Sequence, residues 1–176
     1  MVQKLQKDHP LRRLFEGMVE QVFMADLGMC NPRLTDYLGE LLSEFVHVEQ
    51  IYRLRRVDGD TICELSKMEA DACMGPSVDT MQRTRVVNRY IGDFTLFWVG
   101  VYPETLRPRL AGCDRMREYL LQGKRSYGIA SDLATDSDDP PGALLRQLSA
   151  EFEACVHGLQ LVRRGWEQMP GMASRN

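Results

Sequence analysis

The chain has 176 residues, 44% hydrophobic and 27% charged, with a formal net charge of −3. That balance fits one soluble globular domain and excludes both a disordered chain and a strongly basic binder of nucleic acid or anionic membrane. The five cysteines, at 30, 63, 73, 113 and 155, form no C-x-x-C pair, so the expectation is reduced core thiols in a cytoplasmic protein, not a zinc site or a disulfide framework.

The opening "MVQKLQKDHPLRRLFEGM" is too charged to supply the apolar run of a signal peptide. A first helix is predicted from the stripe Leu11, Leu14, Phe15, Met18 and Val22, stopping near Gly28. The second has the clearest start signal: "CNPRL" places Asn31 as N-cap and Pro32 at the first helical position. Its seam is Leu34, Leu38, Leu41, Phe45, Val48 and Tyr52. Asp58-Gly59 could turn a hairpin, but "TICE" (Thr61 to Glu64) is a capping box, so a short helix from Thr61 to about Met74 is expected.

A fourth helix is predicted from near Ser77, with Val87, Tyr90, Ile91, Phe94, Phe97, Trp98 and Val101 on its buried side, ending in a bend bracketed by Pro103 and Pro108. Its apolar run from Ile91 to Tyr102 contains Asp93 and falls short of the roughly 20 residues a membrane span needs. A fifth helix covers roughly 112 to 135, apolar at Met116, Tyr119, Leu120, Tyr127 and Ala130. "ATDSDDPPGA" is an acidic, proline-rich surface loop, and one last helix runs from about 141 to 168 along Leu145, Leu148, Phe152, Cys155, Leu159, Val162 and Trp166. Together these predict an all-α, single-domain helical bundle of five to six helices spanning 1–176, with an ordered core of about 9–168 and a polar tail at 169–176.

Motifs for chemistry are sparse. Glu44-x-x-His47 has the i,i+3 spacing of di-metal bundles, and Glu153 and His157 are also one-faced. Yet His157 points about 200° from Cys155, away from the apolar seam, and Glu16 and Glu20 share a face with Arg12, Arg13 and Gln21. Neither a G-x-S-x-G elbow nor a complete phosphate loop occurs: ahead of "QGKRSYG" (122–128), Glu118 stands where the first loop glycine belongs, and Arg125 takes the Ser/Thr place. A looser anion site at Lys124 and Arg125 remains, against a plain solvated face. The 22 basic residues comprise 18 arginines and 4 lysines, a bias that suits ion pairs and protein interfaces, or merely a GC-rich coding sequence.

Asp93 is the residue that demands a partner. In helical projection it lies about 60° from Tyr90 and 40° from Phe97, on the shoulder of the buried stripe. A half-buried carboxylate without donors costs several kcal/mol, roughly the price of breaking a buried ion pair. The expectation is therefore an interhelical polar clamp of Asp93 with Arg89, Arg125 or Tyr127, with Gly123 admitting Phe97 or Trp98. A functional version would line a ligand pocket with Trp98, Tyr102, Tyr127 and Asp93.

The leading reading is a non-enzymatic domain acting by association, with itself as a homo-oligomer or with a protein partner, through an arginine- and aromatic-bearing helical face. Neither nucleic acid nor membrane is expected as a partner, and no cofactor is favoured. One alternative is a ferritin-like bundle oxidoreductase holding iron, manganese or zinc at Glu44 and His47. The other is a small-ligand binder around Asp93.

Overall fold

Proline opens each of the first two helices, where its missing N–H costs nothing. In the computed structural model, which describes residues 10–52, 67, 79–106 and 115–169, α1 runs Pro10–Gln21 and α2 runs Pro32–Tyr52. Between them the chain widens into one π turn, Val22–Asp26, in which the Leu27 N–H donates to the Val22 carbonyl at 3.0 Å. That wider turn carries Phe23 into the core, and Gly28, at φ 67°, ends it in the left-handed region open to glycine. Asn31 caps α2 as its sequence predicts: its Oδ1 accepts from the Arg33 N–H at 3.1 Å and the Leu34 N–H at 3.4 Å.

The remaining helices are α3 (Thr80–Val101), α4 (Arg115–Asp132), α5 (Gly142–Ala150) and α6 (Phe152–Glu167), with a 3-10 turn at Pro103–Leu106. The protein is all-α, and no strand occurs among the described residues. None of their helices is long and apolar enough to cross a membrane. The helix expected at Thr61 to Met74, the seam side chains of Val48 and Tyr52, and the Asp58-Gly59 turn lie outside what the structure describes.

α3 is the axis of the bundle. It lies along α4 on one side and α6 on another, while α1 pairs with α2 and α5 packs on α4. Sequence periodicity expects one buried side; instead every residue from Ile91 to Val101 is buried. A helix covered by several neighbours has no solvent face left, which explains why Gly92, Thr95 and Gly100 stand where a surface helix would carry charge. At Gly92 a Cβ would fall 2.7 Å from the Tyr127 ring, so glycine sets how closely α3 and α4 approach. Gly123 does the same for α4, but it receives Phe152 and Thr95, not Phe97 or Trp98.

The expected single helix over 141–168 is two. Glu151, at φ −104° and ψ 23°, leaves helical geometry between α5 and α6. The Glu151 N–H still donates to Gln147 O at 2.8 Å and the Cys155 N–H to Glu151 O at 2.9 Å, so the chain bends while its hydrogen bonding carries across. The apolar seam continues through the bend, with Leu145, Leu148, Phe152, Cys155, Leu159 and Val162 all buried.

Candidate functional site

Three helices converge on one carboxylate. α3 places Asp93, 6% exposed, between Tyr37 of α2 and Tyr127 of α4. Both phenols donate to the same oxygen: Tyr37 Oη to Asp93 Oδ1 at 2.5 Å and Tyr127 Oη to Oδ1 at 2.7 Å. The other oxygen faces Arg89, one turn earlier on α3, with Nε at 3.7 Å from Oδ2. That distance is an ion pair and not a hydrogen bond. Arg89 also lies over the Tyr90 ring, 4.5 Å from its centroid, a cation–π contact.

The electrostatics follow from burial. Loss of water raises the Asp93 carboxyl above its ordinary value, against the opposing pull of Arg89 and of the two phenol donors. Burial also raises both tyrosine hydroxyls well above their usual range, and the neighbouring Asp93 charge adds to it. Arg89 loses hydration too, yet the electrostatic pull of the neighbouring Tyr37 oxygen and Asp93 carboxylate outweighs that loss and leaves its guanidinium more firmly protonated than in water. The cluster is therefore a neutral phenol pair gripping one oxygen of a buried acid, with a permanent cation at the other.

The structure joins Asp93, Arg89 and Tyr127, but Arg125 is exposed on α4 and stands outside the cluster. The residue that the sequence reading missed is Tyr37. It sits three residues after Leu34 and four before Leu41, on the same side of α2 as the seam, so helical projection could have found it. Trp98 belongs elsewhere. It is about 140° around α3 from Asp93 and joins an aromatic cluster, edge-on to Phe97 at 5.6 Å and tilted on Tyr102 at 5.7 Å. Its indole N–H is buried without a hydrogen-bond acceptor among the described residues. Trp98 and Asp93 thus lie on different sides of one helix.

A second buried arginine sits one further turn back. Arg85 donates from Nη2 to the Pro140 carbonyl at 2.9 Å and pairs Nη1 with Asp138 Oδ1 at 3.3 Å. Asp138 is itself held by the Thr135 N–H and hydroxyl at 2.7 and 2.8 Å, and by Gln82 Nε2 at 3.1 Å. The acidic proline-rich loop is thereby latched onto α3 from inside.

The remaining candidates are scattered. Glu44 is half-buried on α2, and the side chain of His47 lies outside the described residues. Among the described residues no three of the His, Cys, Asp and Glu side chains converge as metal ligands. Glu153 is taken by Lys124 Nζ at 2.8 and 3.0 Å, leaving His157 exposed beside it and Lys124 engaged. Burial pushes the Cys155 thiol up to about 12, well above a reactive range. No family model matches the chain, and neither a curated protein nor a solved structure matches it.

Proposed function

We propose that this chain is an association module, a helical bundle that acts by presenting an outer face to a second copy of itself. The observation that carries this reading is Leu121, 58% exposed on the outward side of α4. A lone exposed leucine is ordinary. This one is framed on the same helix by Arg117, Glu118 and Arg125, all exposed, about one turn to either side. An apolar centre rimmed by arginine is the composition that association surfaces favour.

The charges also suit a twofold pairing. If two α4 helices cross antiparallel between Leu121 and Gln122, Glu118 of each copy stands level with Arg125 of the other. The aromatics turn inward: Phe94, Phe97, Trp98 and Tyr127 are buried, and Tyr90, Tyr102 and Trp166 are half-buried. The face is therefore arginine and leucine, without the aromatic component that the sequence suggests.

Light scattering on a dilution series tests the reading. The expected result is a dimer that Leu121→Glu converts to a monomer, that Arg125→Glu weakens, and that Glu118→Arg combined with Arg125→Glu restores. A strict monomer at every concentration, or a dimer indifferent to all three changes, would sink it.

A further inference from the structure

Arg89 is the strongest donor in the clamp and the least used. A guanidinium offers five N–H groups in a flat fork. Among the described residues its contacts are the Asp93 ion pair at 3.7 Å and the Tyr90 ring at 4.5 Å, and it gives no hydrogen bond. Its Nε is buried and gives no hydrogen bond, so the 23% of the side chain that stays exposed lies elsewhere on it.

The fork is held in place, and among the described residues no hydrogen-bond acceptor meets it. Asp93 fixes the inner edge and is itself fixed by Tyr37 and Tyr127, while Tyr90 fixes the plane of the group. A pre-oriented arginine of this kind loses little freedom when it takes a planar two-oxygen anion. The surrounding charge narrows the choice of anion. Asp93 and Glu44 act on Arg89, and Glu40 acts on Asp93, so this side of the bundle is already rich in negative charge. Arg85, the other nearby cation, is engaged with Asp138. An anion with two charges on one head group, such as phosphate, would meet stronger repulsion here than a single carboxylate group.

We infer that the terminal nitrogens of Arg89 form a carboxylate-binding site, taking one carboxylate in a bidentate pair beside the Asp93 cluster. The carboxylate belongs either to a free small acid or to a Glu or Asp side chain of an acidic peptide. The site stands apart from the α4 surface, so neither proposal depends on the other.

The test follows the Arg89 Nε–Hε resonance of the full-length chain by NMR. Separate titrations use sodium acetate, succinate, a glutamate-rich peptide, inorganic phosphate and sodium chloride at matched ionic strength. Acetate and succinate are expected to give a saturable shift in the millimolar range, with chloride giving none and phosphate binding several-fold more weakly. Tighter binding of the peptide than of succinate assigns the carboxylate to an acidic segment, and the reverse order assigns it to a free acid. Arg89→Lys keeps a cation beside Asp93 but removes the fork; calorimetry on the variant, its helicity verified by circular dichroism, is expected to show binding weakened about tenfold. A shift reproduced by chloride, no saturation with either carboxylate in the wild-type chain, or undiminished binding by a folded lysine variant overturns the inference.

Discussion

Gly92 lies directly against the Tyr127 ring: a Cβ built there would stand 2.7 Å from both Cδ1 and Cε1. The ring cannot give way easily, because it is fully buried and its hydroxyl is bound to Asp93. Gly92→Ala is therefore expected to destabilise the fold by about 1–3 kcal/mol through overpacking. Gly17, exposed on α1 with nothing within 4 Å of its added Cβ, should behave oppositely. Gly17→Ala is expected to add up to about 1 kcal/mol by helix propensity. Urea denaturation of the two variants measures both signs, and a neutral Gly92→Ala would contradict the close approach of α3 and α4.

Asp93 and Asp138 pull stability in opposite directions with pH. Burial raises the Asp93 carboxyl, so the folded state holds its proton more tightly than the unfolded chain does. Its contribution is then full below about pH 4 and is lost as pH rises through the raised value. Asp138 is held below its ordinary value, chiefly by the Thr135 N–H, so its contribution is present above about pH 4 and is lost as pH falls through the lowered value. Asp93→Asn removes the first effect alone and keeps an oxygen for the two phenols. The stability of the variant relative to wild type should rise with pH from about 4 upward. Parallel denaturation curves from acid to neutral pH would refute the raised carboxyl.

The Arg85 latch makes the loop over residues 133–141 dependent on one buried cation. Arg85→Leu leaves the Pro140 carbonyl and Asp138 without their shared donor, at an expected cost of about 2–4 kcal/mol. The loop should then become open to a protease that cleaves before aspartate, at Asp136, Asp138 and Asp139. Arg146→Leu, which breaks a pair with Asp132 between two exposed side chains, is expected to leave both readouts unchanged. Equal cleavage rates in wild type and Arg85→Leu would show that the loop is held by something else.

Thiol labelling separates the two cysteines that the structure describes. Cys30 is exposed, while Cys155 is buried with its thiol pushed up to about 12. Iodoacetamide near neutral pH is expected to modify Cys30 in the native protein and Cys155 after unfolding. Peptide mapping of native Cys155 labelled as fast as Cys30 would place α6 differently.

The apolar seams and the Asn31 cap were legible because each is a local pattern: spacing along one helix, or a side chain reaching two residues ahead. Asp93 was legible as an acid in need of donors, and Arg89 could be named because it lies one turn away on the same helix. Tyr127 required a guess about which helix lies alongside. Tyr37 could be placed beside the α2 seam by projection, but its partner is 56 residues away on another helix, and local spacing does not pair the two. Arg85 reads as one of a charged trio with Arg83 and Arg89, and its burial depends on a loop 55 residues further on. The bend at Glu151 has no proline or glycine beside it to mark it. Contacts between distant segments leave little trace in local periodicity.

Enclosure of the second half of α3 on all sides also sets the order in which the molecule can come apart. With residues 91–101 covered by neighbouring helices, no fraying of an end admits solvent to the middle of that rod. Its amide hydrogens can trade with deuterium once the surrounding helices have separated, and their rates then measure the free energy of the whole cooperative transition. Those of Thr80 to Thr84, at the outer end of the same helix, exchange through small local excursions.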